Sequence, residues 1–150
     1  PSPRGIRHAA VTQRRDALAD GLAARGLAAP AGLDAFGLDP IGFCRECILG
    51  PGVTAVIAFD DVVASYLIQA LNTLGRNVPD DVSVVSFNDE LPSRMASPPL
   101  TTVALPAAEA GRRAGELLLE RLATEDAIEH RDIVLPETLV ERRSTDRPRN

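Results

Sequence analysis

Polar side chains placed directly after apolar, β-rich runs are the feature of this sequence best suited to chemistry. Ala58-Phe59-Asp60-Asp61 closes one such run, and Val82-Ser83-Val84-Val85-Ser86-Phe87-Asn88-Asp89 closes another. In an open α/β sheet, ligands bind in the crevice at the carboxyl ends of the strands. Neighbouring parallel strands lie about 4.8 Å apart, so groups at their ends converge on one small molecule. Carboxylates and amides hydrogen-bond to hydroxyls, and Phe59 and Phe87 supply an apolar wall beside them. Asp60 has two readings, ligand contact or N-cap of the following helix. Asn88 reads as a pocket residue.

Other reactive groups are sparse. All 16 cationic residues are Arg, with no Lys, which excludes a phosphate-loop lysine and a Schiff-base lysine. Cys44-Arg45-Glu46-Cys47 has redox spacing, but Gly42-Phe43 precedes it within a short helical pattern, where a thioredoxin-like motif needs a strand. Two small residues on adjacent helical turns are the simpler reading. His8 and His130 have no Cys or carboxylate array nearby to complete a zinc site. An acid/base pair of Asp60 and Asp89 lacks a nucleophile–base arrangement beside it. No catalytic residue, metal or cofactor is assigned.

The chain of 150 residues suits one domain, and its 45% hydrophobic content fits an ordinary globular protein. No apolar run approaches the roughly 20 residues that span a bilayer. A net charge of −5 argues against direct contact with nucleic acid, which needs clustered cations. Pro1-Ser2-Pro3-Arg4 carries no initiator Met and no signal pattern, as expected of a piece of a longer protein.

These candidates must be positioned by alternating strands and helices. Thr12–Arg25 reads as a helix stopped by Gly26, followed by a Gly/Pro/Ala-rich loop carrying Phe36. Ile41–Leu49 reads as a short helix ended by Gly50-Pro51-Gly52. Thr54–Phe59 is expected to be a buried parallel strand. Asp60 or Asp61 caps the next helix, which has Val63, Leu67, Ala70, Leu71 and Leu74 on its apolar face and ends at Gly75, leaving Ala64 and Ile68 pointing away from the core. Val82–Phe87 is the second strand. Pro92, Pro98 and Pro99 forbid regular structure after it. Thr102–Ala104 is extended, and a helix from Pro106 is expected to bury Ala107, Ala110, Ala114, Leu117 and Leu118. Ile133–Leu135 and Thr138–Val140 read as closing strands, and the tail from Arg142 to Asn150 as frayed. The fold class is α/β, a mainly parallel open sheet with helices on both faces.

The order of these blocks resembles the effector-binding region of the lac repressor/galactose repressor (LacI/GalR) family of bacterial transcription regulators, a periplasmic-binding-protein-like fold. Family sequences run Ala-Asn-Asp, then Gly-aromatic-Asp-Asp, then Pro-Pro-Leu-Thr-Thr. This chain has Ala58-Phe59-Asp60, Ser86-Phe87-Asn88-Asp89 and Pro98-Pro99-Leu100-Thr101-Thr102. Val78-Pro79-Asp80-Asp81-Val82, Leu135-Pro136 and Val140-Glu141-Arg142-Arg143-Ser144 belong to the same set, so the resemblance runs from about Thr12 to Ser144.

The resemblance implies a ligand-sensing, dimer-forming region without catalytic activity. Its implied ligand contacts are Arg14, Phe36, Phe59, Asp60, Asn88 and Leu105, the Arg14 guanidinium forking to ligand oxygens. Phe59 stands where the family has a pocket Asn, Asn88 where it has its first pocket Asp, and Leu105 where a polar residue is frequent. The implied effector is therefore a sugar or a less hydroxylated metabolite. Ala64, Ile68, Met95 and Ala96 form the implied homodimer interface. Residues 1–145 would be the effector-binding and dimerisation region, with residues 106–123 packing in a first subdomain otherwise absent from the chain, so that Leu117, Leu118 and Leu122 lack cover. Residues 146–150 would be a frayed tail, and operator DNA would be bound only through an absent N-terminal headpiece, in the cytoplasm and away from membranes. A periplasmic solute-binding protein of a sugar transporter shares the fold and is the alternative.

Overall fold

Apolar runs from Ala55 onward assemble into the sheet that carries the candidate residues. In the computed structural model, which describes residues 9–28, 39–123 and 130–147, these runs belong to the second of two units, Pro40–Asn150. The first unit, Pro1–Asp39, is described chiefly by helix α1, Ala9–Ala23. Leu18 and Leu22 of α1 are half-buried. Its end is closed by the Leu27 amide bonding back to the Leu22 carbonyl at 3.0 Å, with Gly26 at φ 70, the left-handed stop expected at that glycine. Phe36 and the loop around it lie outside the described residues.

The second unit opens with a short helix, α2, Pro40–Phe43, that runs straight into a π-helical segment, Cys44–Leu49. Strand β1 (Ala55–Ile57) leads into helix α3 (Asp61–Thr73), then β2 (Ser83–Asn88), helix α4 (Leu91–Met95), β3 (Thr101–Ala104), helix α5 (Ala107–Leu122) and β4 (Thr138–Val140). The sheet order is β1-β2-β3-β4, with β4 antiparallel to β3. Two parallel pairs joined by helical connections are the α/β topology that alternating patterns demand.

The core lies between α3, β2 and the Pro40–Leu49 segment: Cys44, Ile48, Leu67, Ile68, Leu71, Val82, Val84 and Leu100 are buried together. Helix α3 ends on Gly75 at φ 71, with the Arg76 amide reaching the Leu71 carbonyl at 2.9 Å. Both α2 and the π-helical segment pack on α3, as do β2 and α4.

That surrounding corrects one expectation directly. Ala64 and Ile68 are 0% and 3% exposed, so neither is available to a partner chain. The helical period gives α3 a single apolar face, whereas Pro40–Leu49 packs on it as a further apolar partner and widens the buried stripe.

Four further expectations change. Thr54–Phe59 forms a strand over Ala55–Ile57 only, in which Ala55 and Ile57 are exposed, and among the described residues β1 pairs with β2 alone. Pro92 does not prevent a helix, since α4 places it in the first turn, where a missing N–H costs nothing. Ile133–Leu135 is not a strand. Helix α5 buries none of its residues: Leu118, Leu119 and Leu122 are exposed, and ion pairs of Arg112 and Arg113 with Glu109 and Glu116 lie along it. Of the leucines expected to lack cover, Leu118 and Leu122 are exposed and Leu117 is half-buried.

Residues 142–146, expected to belong to a frayed tail, are anchored. The Ser144 side chain is fully buried; its Oγ donates to the Val84 carbonyl at 2.5 Å and accepts from the Thr101 amide at 2.8 Å. The Val84 amide in turn donates to the Ser144 carbonyl at 2.8 Å. Ser144 thus bridges β2 and the start of β3, satisfying backbone groups that would otherwise be buried without partners. The anchoring reaches Asp146, whose amide and carbonyl both bond the Ser83 hydroxyl at 3.1 Å.

Candidate functional site

Side chains from within β2 and β3 and a backbone amide after β2 converge on one carboxylate, Asp61. This carboxylate, the first residue of α3, is 1% exposed. Its Oδ1 accepts from the Ser86 hydroxyl of β2 at 2.5 Å and the Thr102 hydroxyl of β3 at 3.0 Å, and its Oδ2 accepts from the Glu90 amide at 2.6 Å. Three donors and the positive end of α3 offset the cost of burying a charge. The pair of small hydroxyl residues within two apolar strands was the signal for such a hub; the sequence reading treated Asp61 only as an alternative cap.

Asp60 itself is the cap. Its Oδ1 accepts from the Val63 amide at 2.7 Å, with the backbone extended at φ −149, the standard N-cap geometry. The capping reading is therefore correct, and it occupies one carboxylate oxygen. Phe59 precedes it, partly exposed at the end of β1.

Asn88 is the last residue of β2 and pairs in register with Ala104 of β3. It has φ 103, and Asp89 after it has φ 55; two successive non-glycine residues with positive φ mark a tightly determined turn. Leu105 follows β3 and is partly exposed. Phe59, Asp60, Asn88 and Leu105 are thus gathered along one edge of the sheet. Arg14 lies on α1 in the first unit and is half-buried.

Asp89 fixes the turn from its other side. Its Oδ1 accepts from Arg142 Nη2 at 2.6 Å and from the Ser93 hydroxyl at 3.0 Å, and its Oδ2 accepts from Arg94 Nη2 at 3.0 Å. Arg142 also donates through Nη1 to the Leu100 carbonyl at 2.9 Å. Burial pushes the Asp89 carboxyl up, but the bonds from Arg142, Arg94 and Ser93 outweigh it and hold the group below the ordinary Asp value. The Asp89 and Arg142 side chains are only 12% and 19% exposed.

Comparisons with known proteins identify the family of the domain. Residues 5–145 match the family model of the periplasmic binding protein-like domain. The lactose operon repressor of Rhizobium radiobacter is 34% identical over 94 residues, covering 63% of this chain and 81% of that protein. The chain belongs to the periplasmic binding protein-like domain family, on its LacI-type branch. The transcriptional regulator DegA of Bacillus subtilis is 43% identical over 96 residues, 61% of this chain and 27% of DegA. Among solved structures, a complex of the transcriptional regulator CelR with cellobiose superposes with a TM-score of 0.73 at 30% identity, covering 89% of this chain and 42% of CelR. The chain spans about a quarter of the length of DegA and similar regulators.

In this LacI-type domain the remaining sequence candidates sort by exposure. Met95, at the end of α4, is 76% exposed, while Ala96 packs partly against the core. The exposed large hydrophobics of α3 and α4 are Val62, Tyr66, Leu91 and Met95, three of which the sequence reading did not select. Cys44 is buried and Cys47 partly so, both as free thiols. Burial and the neighbouring Cys47 raise the Cys44 thiol, so it is not a ready nucleophile. Among the described residues no group of three or more metal-ligating side chains occurs, and no helix is long and apolar enough to cross a membrane.

Proposed function

We propose that this chain is the ligand-sensing and dimer-forming part of a bacterial LacI-type transcriptional regulator. A small molecule, a sugar or related metabolite, binds at the strand ends and changes how a DNA-binding headpiece elsewhere in the parent protein holds its operator. The observation that carries the reading is the strand-end edge of Phe59, Asp60, Asn88 and Leu105 in a domain whose relatives are named as regulators. Asn88 offers a donor and an acceptor to a hydroxyl pair, Asp60 offers the oxygen not used in capping, and Phe59 and Leu105 provide apolar contact.

Binding fits this edge better than catalysis. Asp61 is committed to Ser86, Thr102 and Glu90, and Asp89 to Arg142, Arg94 and Ser93, so neither is poised to act as an acid or base on a ligand. A cytoplasmic location follows from the regulatory role. The homodimer surface is assigned to Val62, Tyr66, Leu91 and Met95, an isologous contact in which each patch meets its own copy.

The test is a gel-shift of the intact regulator on the DNA upstream of its own gene, with and without a panel of pentoses, hexoses and cellobiose. At least one sugar should change the shift. Asn88→Ala should keep DNA binding and lose the response, because the coupling between sites is reciprocal and runs through the ligand. A protein that binds sugar yet never shifts DNA would favour the transporter reading instead.

A further inference from the structure

We propose that Asp61 and Arg142 are positioning residues that hold Asn88 in a strained left-handed backbone conformation at the strand-end crevice. The inference rests on the reading of Asn88 as a ligand-binding residue, and it adds two residues that do not themselves meet the ligand. The left-handed well is centred near φ +57, and Asn and Asp enter it more readily than other residues. Asp89 at φ 55 sits in that well, but Asn88 at φ 103 lies well outside it. Such strain persists only where the surroundings over-determine the backbone, and it concentrates at ligand sites.

The surroundings here are explicit. On the near side, β2 pairs with β3 up to Asn88 itself, through Phe87 with Val103 and Asn88 with Ala104. On the far side, Asp61 Oδ2 takes the Glu90 amide at 2.6 Å and Arg142 takes the Asp89 carboxylate at 2.6 Å. Residues on both sides of Asn88 are therefore fixed to different elements, and its own torsion absorbs the mismatch. Asp61 is 1% exposed with both oxygens occupied, so it acts on a ligand only through Asn88. Holding the amide in place before binding removes an ordering cost that would otherwise fall on affinity.

The experiment is a double-mutant cycle on the 150-residue chain, read by thermal melting. Glycine adopts φ 103 without strain, so Asn88→Gly should raise Tm by a few degrees in the wild-type background. In Arg142→Ala or Asp61→Ala, where the turn is free to relax, the same change should give no rise or a fall, since glycine then adds only unfolded-state entropy. Where Asp61→Ala does not fold, Thr102→Val, which removes one of the three donors, serves in its place. Calorimetry on the intact regulator, with whichever panel sugar binds it, forms the second arm: Arg142→Ala should weaken that affinity about tenfold or more. Equal Tm shifts in all backgrounds, a fall in the wild type, or unaltered sugar affinity in Arg142→Ala would each overturn the proposal. A non-additive cycle in a protein that binds no sugar overturns the ligand reading and leaves the positioning of the turn standing.

Discussion

Replacing Arg142 with Ala probes the anchor of the strand-end turn. The change removes the 2.6 Å bond to Asp89 Oδ1 and the 2.9 Å bond to the Leu100 carbonyl. Breaking a fully buried pair costs about 3–5 kcal/mol, because one charge is left uncompensated. The Asp89 and Arg142 side chains keep 12% and 19% exposure, and Asp89 retains Arg94 at 3.0 Å. The cost should therefore fall to about 2–3 kcal/mol, or roughly 5–10 °C in Tm for a chain of this size. Differential scanning calorimetry across pH reads both size and sign. The folded Asp89 carboxyl is held below its ordinary value, so its stabilisation is fully present above the unfolded value near 3.9 and is lost as pH falls through the folded value. The gap between wild type and Arg142→Ala should be constant from neutral pH down to about 5 and close in stronger acid. Equal Tm values at neutral pH, or a gap that widens on acidification, would refute the reasoning.

Two substitutions on α3 separate its buried and outward surfaces. Ile68→Glu places a carboxylate in the core and should cost about 3–5 kcal/mol, seen as loss of the cooperative urea transition, whereas Tyr66→Glu should leave Tm unchanged and halve the mass in sedimentation equilibrium. At the cap, Asp60→Ala should cost about 1 kcal/mol in chemical denaturation, while Asp60→Asn retains the cap and reports the ligand role through lost sugar affinity alone. Gly75→Ala meets no atom within 4 Å but sits at φ 71, so its cost is backbone strain of about 1–2 kcal/mol, and a larger loss would mean that α3 ends differently.

Local chemistry made the strands, the helix stops and the strand-end candidates legible. The apolar run before Asp60 does become a strand, though shorter and more exposed than expected, and the glycines at 26 and 75 stop their helices where the pattern put them. What was misread depends on partners far along the chain. Ala64 and Ile68 are buried because Pro40–Leu49 lies on α3, and no helical period carries that information. Arg142 and Ser144 look like tail residues by composition, yet their partners are about 40 to 60 residues away. Asp61 is the clearest case. Two adjacent aspartates look interchangeable, but the helix start turns Asp60 toward its own backbone and Asp61 into the sheet.

The account stands on small-molecule binding at the strand ends, and amide chemical-shift mapping of the 150-residue chain tests that most directly, since it detects weak binding residue by residue. Titration with cellobiose and a panel of pentoses and hexoses should move the amides of residues 58–61, 87–90 and 104–105 together, with one binding curve, and Asn88→Ala should abolish the response. Shifts confined to other parts of the chain, or none with any sugar of the panel, would contradict it.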